Sequence, residues 1–299
     1  MTRKKTRRFI SINTESGGRR GFKKALTTLR ADPDVDAFMF QEVHYAHDTK
    51  VPSEVYPNEP GNRGTNPIRA RLHQELQRLF GPAYEGYFAP QITNHLHDLE
   101  PSAYNVSYGQ SLFVRRGADI RVRHLTKGCI YRNFGDINQE DTGGKPAAKS
   151  MIAVTLEFAG KHTLTIGNVH GFWSKHGKVD MPERFIQNRG ITNMLVQHNH
   201  CHTGEHTKAE VLLIGDLNYT SQMKSLANLR AESIFGVGGG IVLNHRHDIR
   251  DTRTKHYPKA IREADFAIIS QQLDTRDTRF SVDTDFPSDH AALIVEIDY

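Results

Sequence analysis

The 299-residue sequence predicts an α/β layered fold. Three observations point to it. Short β-rich runs alternate with segments of helical periodicity along the whole chain, as in layered α/β domains. No Pro- or Ser-rich linker divides the chain and no internal repeat is visible, so a single domain over 9–299 accounts for it. Several apolar runs stop at Asn, Asp, Glu or His, which puts polar chemistry at strand ends.

The elements follow in order. Phe9–Asn13 reads as a strand and Phe22–Leu29 as a basic helix. Asp36–Val43 (DAFMFQEV) is nearly continuous in apolar residues, the pattern of a strand buried on both faces. Ile68–Phe80 carries apolar residues at helical spacing and stops at Gly81-Pro82. Strands are expected at 84–89, 110–115, 119–125, 150–158 and 162–169. In Met151–Phe158, strict alternation puts Ile152, Val154, Leu156 and Phe158 on one face. Asp180 and Glu183, with Pro182 between them, have the form of a capping box opening a helix that runs to about Gln197. Val211–Ile214, Phe266–Ser270 and Ala291–Ile297 read as strands and Ser221–Leu229 as a helix. The loops 44–66, 91–107 and 130–149 are long, which in a compact domain points to function or mobility.

Charge is uneven. The net charge is +5, yet residues 1–30 hold ten Lys/Arg against one acid, Glu15. The front end is therefore strongly basic and the remaining body mildly acidic. Residues 1–8 are expected to form a disordered basic arm, and Arg19, Arg20, Lys23 and Lys24 to border the active face. Such a stretch is an electrostatic footprint for phosphate-rich partners, and also a common solvated surface. Two cysteines, Cys129 and Cys201, make no disulfide framework and fit free thiols in a reducing compartment. No apolar run approaches the roughly 18 residues of a spanning helix. The basic start lacks the apolar core of a signal peptide, so a cytoplasmic location is expected.

The chemistry sits where strands end. Ile10–Ile12 ends in Asn13, and Phe38–Phe40 runs into Gln41-Glu42. Thr165–Val169 ends in His170, and Val211–Ile214 runs into Gly215-Asp216-Leu217-Asn218. Asp265 opens one strand and Ser288-Asp289-His290 another. Carboxylate oxygens suit Mg²⁺ or Mn²⁺, which retain waters and bind substrate phosphate. Histidines donate to phosphate oxygens or move protons near neutral pH. A lone strand-end acid is more often a turn former, so the weight lies on the ordered set.

That ordered set, Asn13, Gln41-Glu42-Val43, Asn168-Val169-His170, Gly215-Asp216-Leu217-Asn218, Asp265-Phe266 and Ser288-Asp289-His290, resembles the endonuclease/exonuclease/phosphatase superfamily. Deoxyribonuclease I, exonuclease III, neutral sphingomyelinases and inositol-polyphosphate 5-phosphatases belong to it. The resemblance runs from residue 8 to 297. It implies a four-layered α/β/β/α sandwich, two mixed sheets face to face with helices outside. It implies Glu42 as principal metal ligand, with Asn13 and Asp289 supporting the metal. Asp216 would orient or deprotonate the attacking water, and Asn218 would hold the phosphate. His290 would contact the scissile phosphate, paired with Asp265. His170 would be a candidate general acid. Tyr108 matches a substrate-side tyrosine, and Gln110 stands where related enzymes carry an acid orienting the first histidine. Asp216, His170 and His290 remain alternatives for the general base.

Other features carry paired readings. Phe172-Trp173 follows His170, and Trp173 could stack on a base or pack under its loop. Arg253, in a second basic stretch from Arg250 to Arg262, fits a phosphate clamp, its guanidinium fork matching phosphate geometry. Gln197–His206 holds four histidines and Cys201. Its spacing matches no closed zinc site, so a solvated loop is expected. His44 and His47 are expected on a loop surface, and Gly236–Gly240 as a flexible connection. The function that follows is a metal-dependent phosphodiester hydrolase, a nuclease acting on nucleic acid. The alternatives are a small-molecule or lipid phosphoesterase of the same fold, and a non-catalytic binding protein on this scaffold.

Overall fold

The computed structural model describes residues 5–56, 66–93, 105–132, 135–136, 148–159, 162–174, 176–203 and 210–299. Thirteen strands and six α-helices are found among them. The first sheet has the order β12-β13-β1-β2-β4-β3-β6 and the second β10-β11-β9-β8-β7-β5. In the first, β1 (Thr6–Asn13) runs parallel to β2 (Val35–Ala46) and antiparallel to β13 (Ala292–Asp298). Antiparallel β4 (Val106–Arg115) and β3 (Tyr84–Thr93) extend it on one side and β12 (Thr278–Asp283) on the other, with two-residue β6 (Gly135–Asp136) outermost. In the second, β8 (His162–His170) runs parallel to β9 (Val211–Asp216). Antiparallel partners flank them: β7 (Lys149–Phe158) and β5 (Ile120–Tyr131) on one side, β11 (Asp265–Ile269) and β10 (Ile241–Val242) on the other.

Strand alternation makes the layers. Phe9, Met39 and Leu112 from one sheet meet Ile152, Val154, Leu156, Ile166 and Ile214 from the other, the core between the sheets. The expected face of 151–158 is thus the inner one. Ile10, Ile12, Phe38 and Phe40 point the other way, onto α1 (Phe22–Arg30) and α2 (Leu72–Phe80). Met151, Ala153 and Leu213 point outward onto α3 (Pro182–Thr203) and α4 (Lys224–Arg230). Each apolar face removed from water contributes roughly 25 cal/mol per Å². Two short helices, α5 (Leu243–Arg246) and α6 (Gln271–Asp274), complete the chain. Helices outside and two mixed sheets inside make the α/β/β/α sandwich that the sequence implied.

Several expectations need correction. Of the arm at 1–8, residues 1–4 lie outside the described residues, but Thr6–Arg8 open β1. Arg7 is 2% exposed and bonds Asp36 (3.2 Å) and Asp119 (2.8 Å). Those acids lie over 25 residues away in sequence, so no local pattern announces them. Asp180 caps a different helix: its carboxylate accepts from the Lys224 and Ser225 amides that open α4 (2.9 and 2.8 Å). Helix α3 runs beyond Gln197 to Thr203, so residues 197–203 are not a solvated loop. His198 is buried, bonded through both ring nitrogens to Thr126 and Thr155 hydroxyls (2.9 and 2.8 Å). Residues 204–206 lie outside the described residues. Gly190 lets α3 sit directly on β5, since a Cβ there would meet Ile130 O at 1.9 Å. His44 belongs to β2 and is fully buried, against the loop-surface expectation. Strand β12 carries no apolar run to mark it, and only two of its six residues are buried. Among the described residues no helix is long and apolar enough to cross a membrane.

Candidate active site

The C-terminal ends of β1, β2, β8 and β9 open on one cleft of about 670 Å³. The pairing registers put Asn13 beside Gln41, His170 beside Asp216 and Asp216 beside Asp265. Beneath them, the Gln41 amide nitrogen donates to Asn168 Oδ1 (2.6 Å), and Asn168 Nδ2 donates to Phe40 O (3.3 Å) and Ser111 O (3.1 Å). These bonds cross between the sheets and lock the strands that carry Glu42 and His170. Every side-chain nitrogen and oxygen of this pair is bonded except Gln41 Oε1, which has no partner among the described residues.

Glu42 leaves the sheet through a bulge. The β2–β4 register shifts between Phe40 and Val43, and Glu42 adopts φ 59°. A side chain in that region costs roughly 1–3 kcal/mol and is held by its surroundings. Here Thr14 Oγ1 donates to Gln41 O (3.0 Å) and Glu42 O (2.9 Å). Asp216 ends β9 after Gly215, whose φ of 142° and close approach to Val169 O require glycine. Asp216 Oδ1 accepts the Asn218 backbone N–H (2.8 Å), an Asx turn that also holds Asn218 at φ 55°.

Asp216 Oδ2 is the hub. It accepts from Asn13 Nδ2 at 3.0 Å, and the same nitrogen reaches Glu42 Oε1 at 3.0 Å. His290 Nε2 stands 3.6 Å from it and His170 Nε2 3.9 Å. His290 is aimed by Asp265, whose two oxygens lie 2.8 and 2.9 Å from Nδ1. Arg253 Nη1 donates to Asp289 Oδ2 (2.9 Å) and contacts His290 Nε2. With Nδ1–H given to Asp265, Nε2 is the acceptor in that contact, a tautomer assigned from the network. Ser288 Oγ donates to Asn13 O (2.7 Å), which ties β1 to the turn before β13.

Burial sets the protonation states. It raises Glu42 to about 7, with Asp289 and Asp216 pushing the same way and the Asn13 amide opposing. It lifts Asp265 to about 6 against the pull of Arg253 and Lys178. It lowers His290 to about 4, Asp216 opposing and Arg253 reinforcing. His170 is pulled well below its ordinary value by burial and by Lys149. Tyr108 is held protonated by burial and by the Glu42 and Asp216 charges. A pocket with crowded carboxylates and neutral imidazoles is one a cation would relax.

Among the described residues, Glu42, Asp216 and His290 form the group able to hold a metal ion, their donor atoms within 4.8 Å of one another. Two carboxylates are hard oxygen donors and fit Mg²⁺ or Mn²⁺. Asp216, expected as a catalytic residue, joins Glu42 in that group. Asp289, expected as a ligand, lies outside it and engages Arg253. Asn13 offers its nitrogen to the carboxylates while its oxygen accepts the Glu15 amide (3.1 Å). Gln110 is a correction: it is fully buried, bonds Ser150 through its nitrogen, and lines no part of the cleft. His170 Nδ1 has no hydrogen-bond partner among the described residues, so an acid's orienting role has no substitute there.

Tyr108, Trp173, Asn218 and Arg253 all line the cleft, Trp173 with 59% of its surface exposed. Its neighbour Phe172 is buried against Tyr131. Of the early basic residues, Arg19 pairs with Glu15, which lines the cleft and accepts the Asp289 amide (3.1 Å). Lys149, Lys178 and Tyr257 also line the cleft and were not foreseen. Only Lys149 had a local signal, standing at the foot of a clear strand.

No protein-family profile matches the chain, and neither does any curated protein. Solved structures do. An endonuclease/exonuclease/phosphatase family protein of Bacteroides thetaiotaomicron superposes with TM-score 0.64 at 12% identity, covering 99% of this chain and 96% of that one. A mannosyl-6-phosphatase of the same organism gives 0.60 at 12%, covering 98% and 99%. The human Nocturnin catalytic domain with bound sulfate gives 0.59 at 15%, covering 99% and 96%. Identities of 12–15% carry the architecture, and by that architecture the chain has the deoxyribonuclease I-like fold of the endonuclease/exonuclease/phosphatase proteins.

Proposed function

We propose that the chain is a divalent-metal-dependent phosphodiester hydrolase acting on nucleic acid. The observation that carries the reading is the Asp216 hub: two carboxylates joined by one Asn13 amide, facing two neutral imidazoles and a guanidinium. Bound at Glu42 and Asp216, Mg²⁺ or Mn²⁺ would neutralise phosphate charge and polarise a phosphoryl oxygen. Arg253, with Nη1 engaged by Asp289, is placed to steady the phosphate with its other donors. Asn218 adds an amide at the same wall.

Asp216 orients the attacking water and accepts its proton. His290, neutral and aimed by Asp265, accepts from Arg253 at Nε2 and so fixes the guanidinium beside the hub. His170 and Tyr108 face the hub from the Glu42 side, their rings 6.2 Å apart. Tyr108, kept protonated, donates a hydrogen bond to charge developing on oxygen. The nucleic-acid assignment is supported by Lys149, Lys178, Arg253 and Lys259 around the cleft and by the exposed ring of Trp173, a platform for a base. The relatedness in fold to phosphoesterases, including a sugar-phosphate enzyme, supports the reaction class and leaves the substrate to be measured.

The test is turnover with Mg²⁺ on single- and double-stranded DNA, RNA, a sugar phosphate and bis(p-nitrophenyl) phosphate. Asp216→Asn and His290→Ala should each lower the rate by about 10²–10⁴ on every active substrate. Near-wild-type rates in both variants would refute the mechanism. Turnover confined to the sugar phosphate would refute the nucleic-acid assignment.

A further inference from the structure

Lys178 is a cation for which the hydrolysis gives no role. It follows Gly177 in the segment between β8 and α3, and its side chain lines the cleft. That segment is braced from below. Arg184, fully buried, donates to Phe172 O (3.0 Å), Gly177 O (3.5 Å) and Val179 O (2.9 Å), carbonyls on both sides of Lys178. The ammonium donates to Glu263 O. Among the described residues no carboxylate lies within ion-pair distance of it.

Tyr257 relates Lys178 to the hub. Its ring centroid is 4.3 Å from the Arg253 guanidinium carbon and 5.9 Å from the Lys178 nitrogen. Arg253 touches His290 and so marks the scissile position. Lys178 and Arg253 share that one aromatic ring. Exposed Lys259 lines the same cleft and has no carboxylate partner among the described residues. One arginine, neutralised by Asp289, suffices to steady one phosphate. A half-buried ammonium on a braced backbone, with a second lysine lining the same cleft, is a fixed donor that the hydrolysis does not use. An ammonium carries three N–H donors, and with one given to Glu263 O the others can meet an arriving anion.

We propose that Lys178 and Lys259, beside Tyr257, form a second anion subsite that takes a phosphate group next to the scissile one. The proposal rests on the phosphoesterase reading of the hub. It narrows the substrate to esters with two phosphates in close succession. The second could be an internucleotide phosphate or a terminal phosphomonoester; the chemistry recognised is the same.

Equilibrium binding tests it. Calorimetry with Ca²⁺ as the divalent ion compares thymidine 5′-monophosphate with thymidine 3′,5′-bisphosphate, and TpT with TpTpT. The wild-type chain should bind the two-phosphate member of at least one pair about tenfold more tightly. A gain in the first pair assigns a terminal phosphate, and in the second an internucleotide one. Lys178→Met should bring that ratio close to one, Lys178→Arg should keep most of it, and Lys259→Ala should reduce it. A ratio near one in the wild type, or a ratio that survives Lys178→Met, overturns the subsite. Turnover of bis(p-nitrophenyl) phosphate is followed in parallel. If that ester is inert while the ratio behaves as expected, the hydrolase reading fails and the anion subsite stands.

Discussion

Strand β1 carries an ionic cluster at each end, and the two are built on opposite principles. At the start, Arg7 and Arg115 share Asp36 and Asp119, at distances from 2.7 to 3.2 Å. Lys5 joins them at Asp119, and the Arg7 guanidinium lies over the Phe158 ring at 4.3 Å. Here each carboxylate is matched by an arginine inside the protein, with Lys5 as a further, exposed cation. At the other end, Asn13 stands among Glu42, Asp216, Asp265 and Asp289, and Arg253 reaches them through Asp289 alone. Here acid outweighs the arginine present, and burial pushes Glu42, Asp265 and Asp289 toward the protonated form. A matched cluster fixes a strand; an unmatched one stores a demand for a cation. The same residue types thus do structural work at one end of a strand and prepare chemistry at the other.

The largest effect should come from breaking the matched cluster. Asp36→Ala takes from Arg7 and Arg115 the one fully buried carboxylate they share, leaving only Asp119, a change worth about 3–5 kcal/mol. Urea unfolding should show that loss. Asp216→Asn, at the other end, removes one of several crowded acids and should leave stability unchanged or slightly higher while turnover collapses. If Asp216→Asn destabilises the chain as much as Asp36→Ala, the distinction between the two clusters is wrong.

A cation should sharpen the contrast next. Mg²⁺ or Mn²⁺ at a hundred times its dissociation constant stabilises the folded chain by about 2.7 kcal/mol by mass action. The midpoint of thermal unfolding should rise accordingly with added metal. Glu42→Gln should abolish the rise, and Asp119→Asn should leave it intact. A metal-induced rise that survives Glu42→Gln would place the ion elsewhere.

The two ends were not equally legible in the sequence. The unmatched cluster could be read because each member terminates an apolar run: Asn13 after Ile12, Asp216 after Ile214, His170 after Val169. Strand ends converge in a layered fold, so one-dimensional punctuation becomes a three-dimensional site. The matched cluster could not be read, because Arg7 and Asp36 are ordinary residues whose meaning is a pairing across β1, β2 and β4. Its basic residues looked like a loose arm. Lys178 was hidden for a related reason: its place in the cleft depends on a carbonyl brace from Arg184, in the first turn of the next helix. The layers themselves were legible from alternation in 151–158. Strand β12, with one wet face and no apolar run, was not.

The smallest effect is a difference in pH dependence, and its sign separates the two ends. Burial opposes ionisation of Asp119, yet hydrogen bonds from Arg115, Lys5 and Arg7 outweigh it and hold the carboxyl well below its ordinary range. A depressed folded pKa contributes stability that is complete above the unfolded value, near 3.8, and is lost as pH falls below it. Glu42 is the reverse. Its folded carboxyl titrates near 7 against an ordinary 4.5, so the folded chain holds a proton the unfolded chain releases. The resulting cost is full above pH 7 and fades as pH falls toward 4.5. In metal-free buffer, Glu42→Gln should therefore exceed wild-type stability by on the order of 1–2 kcal/mol at pH 8, discounted for partial exposure, with the gain vanishing near pH 4.5. Asp119→Asn should lose stability by an amount that stays constant from pH 8 to 5. Thermal midpoints of the two variants and the wild type across this range give both differences directly. Parallel difference curves would mean that the hub carboxylate is no more crowded than the paired one, and the case for a cation there would fall with it.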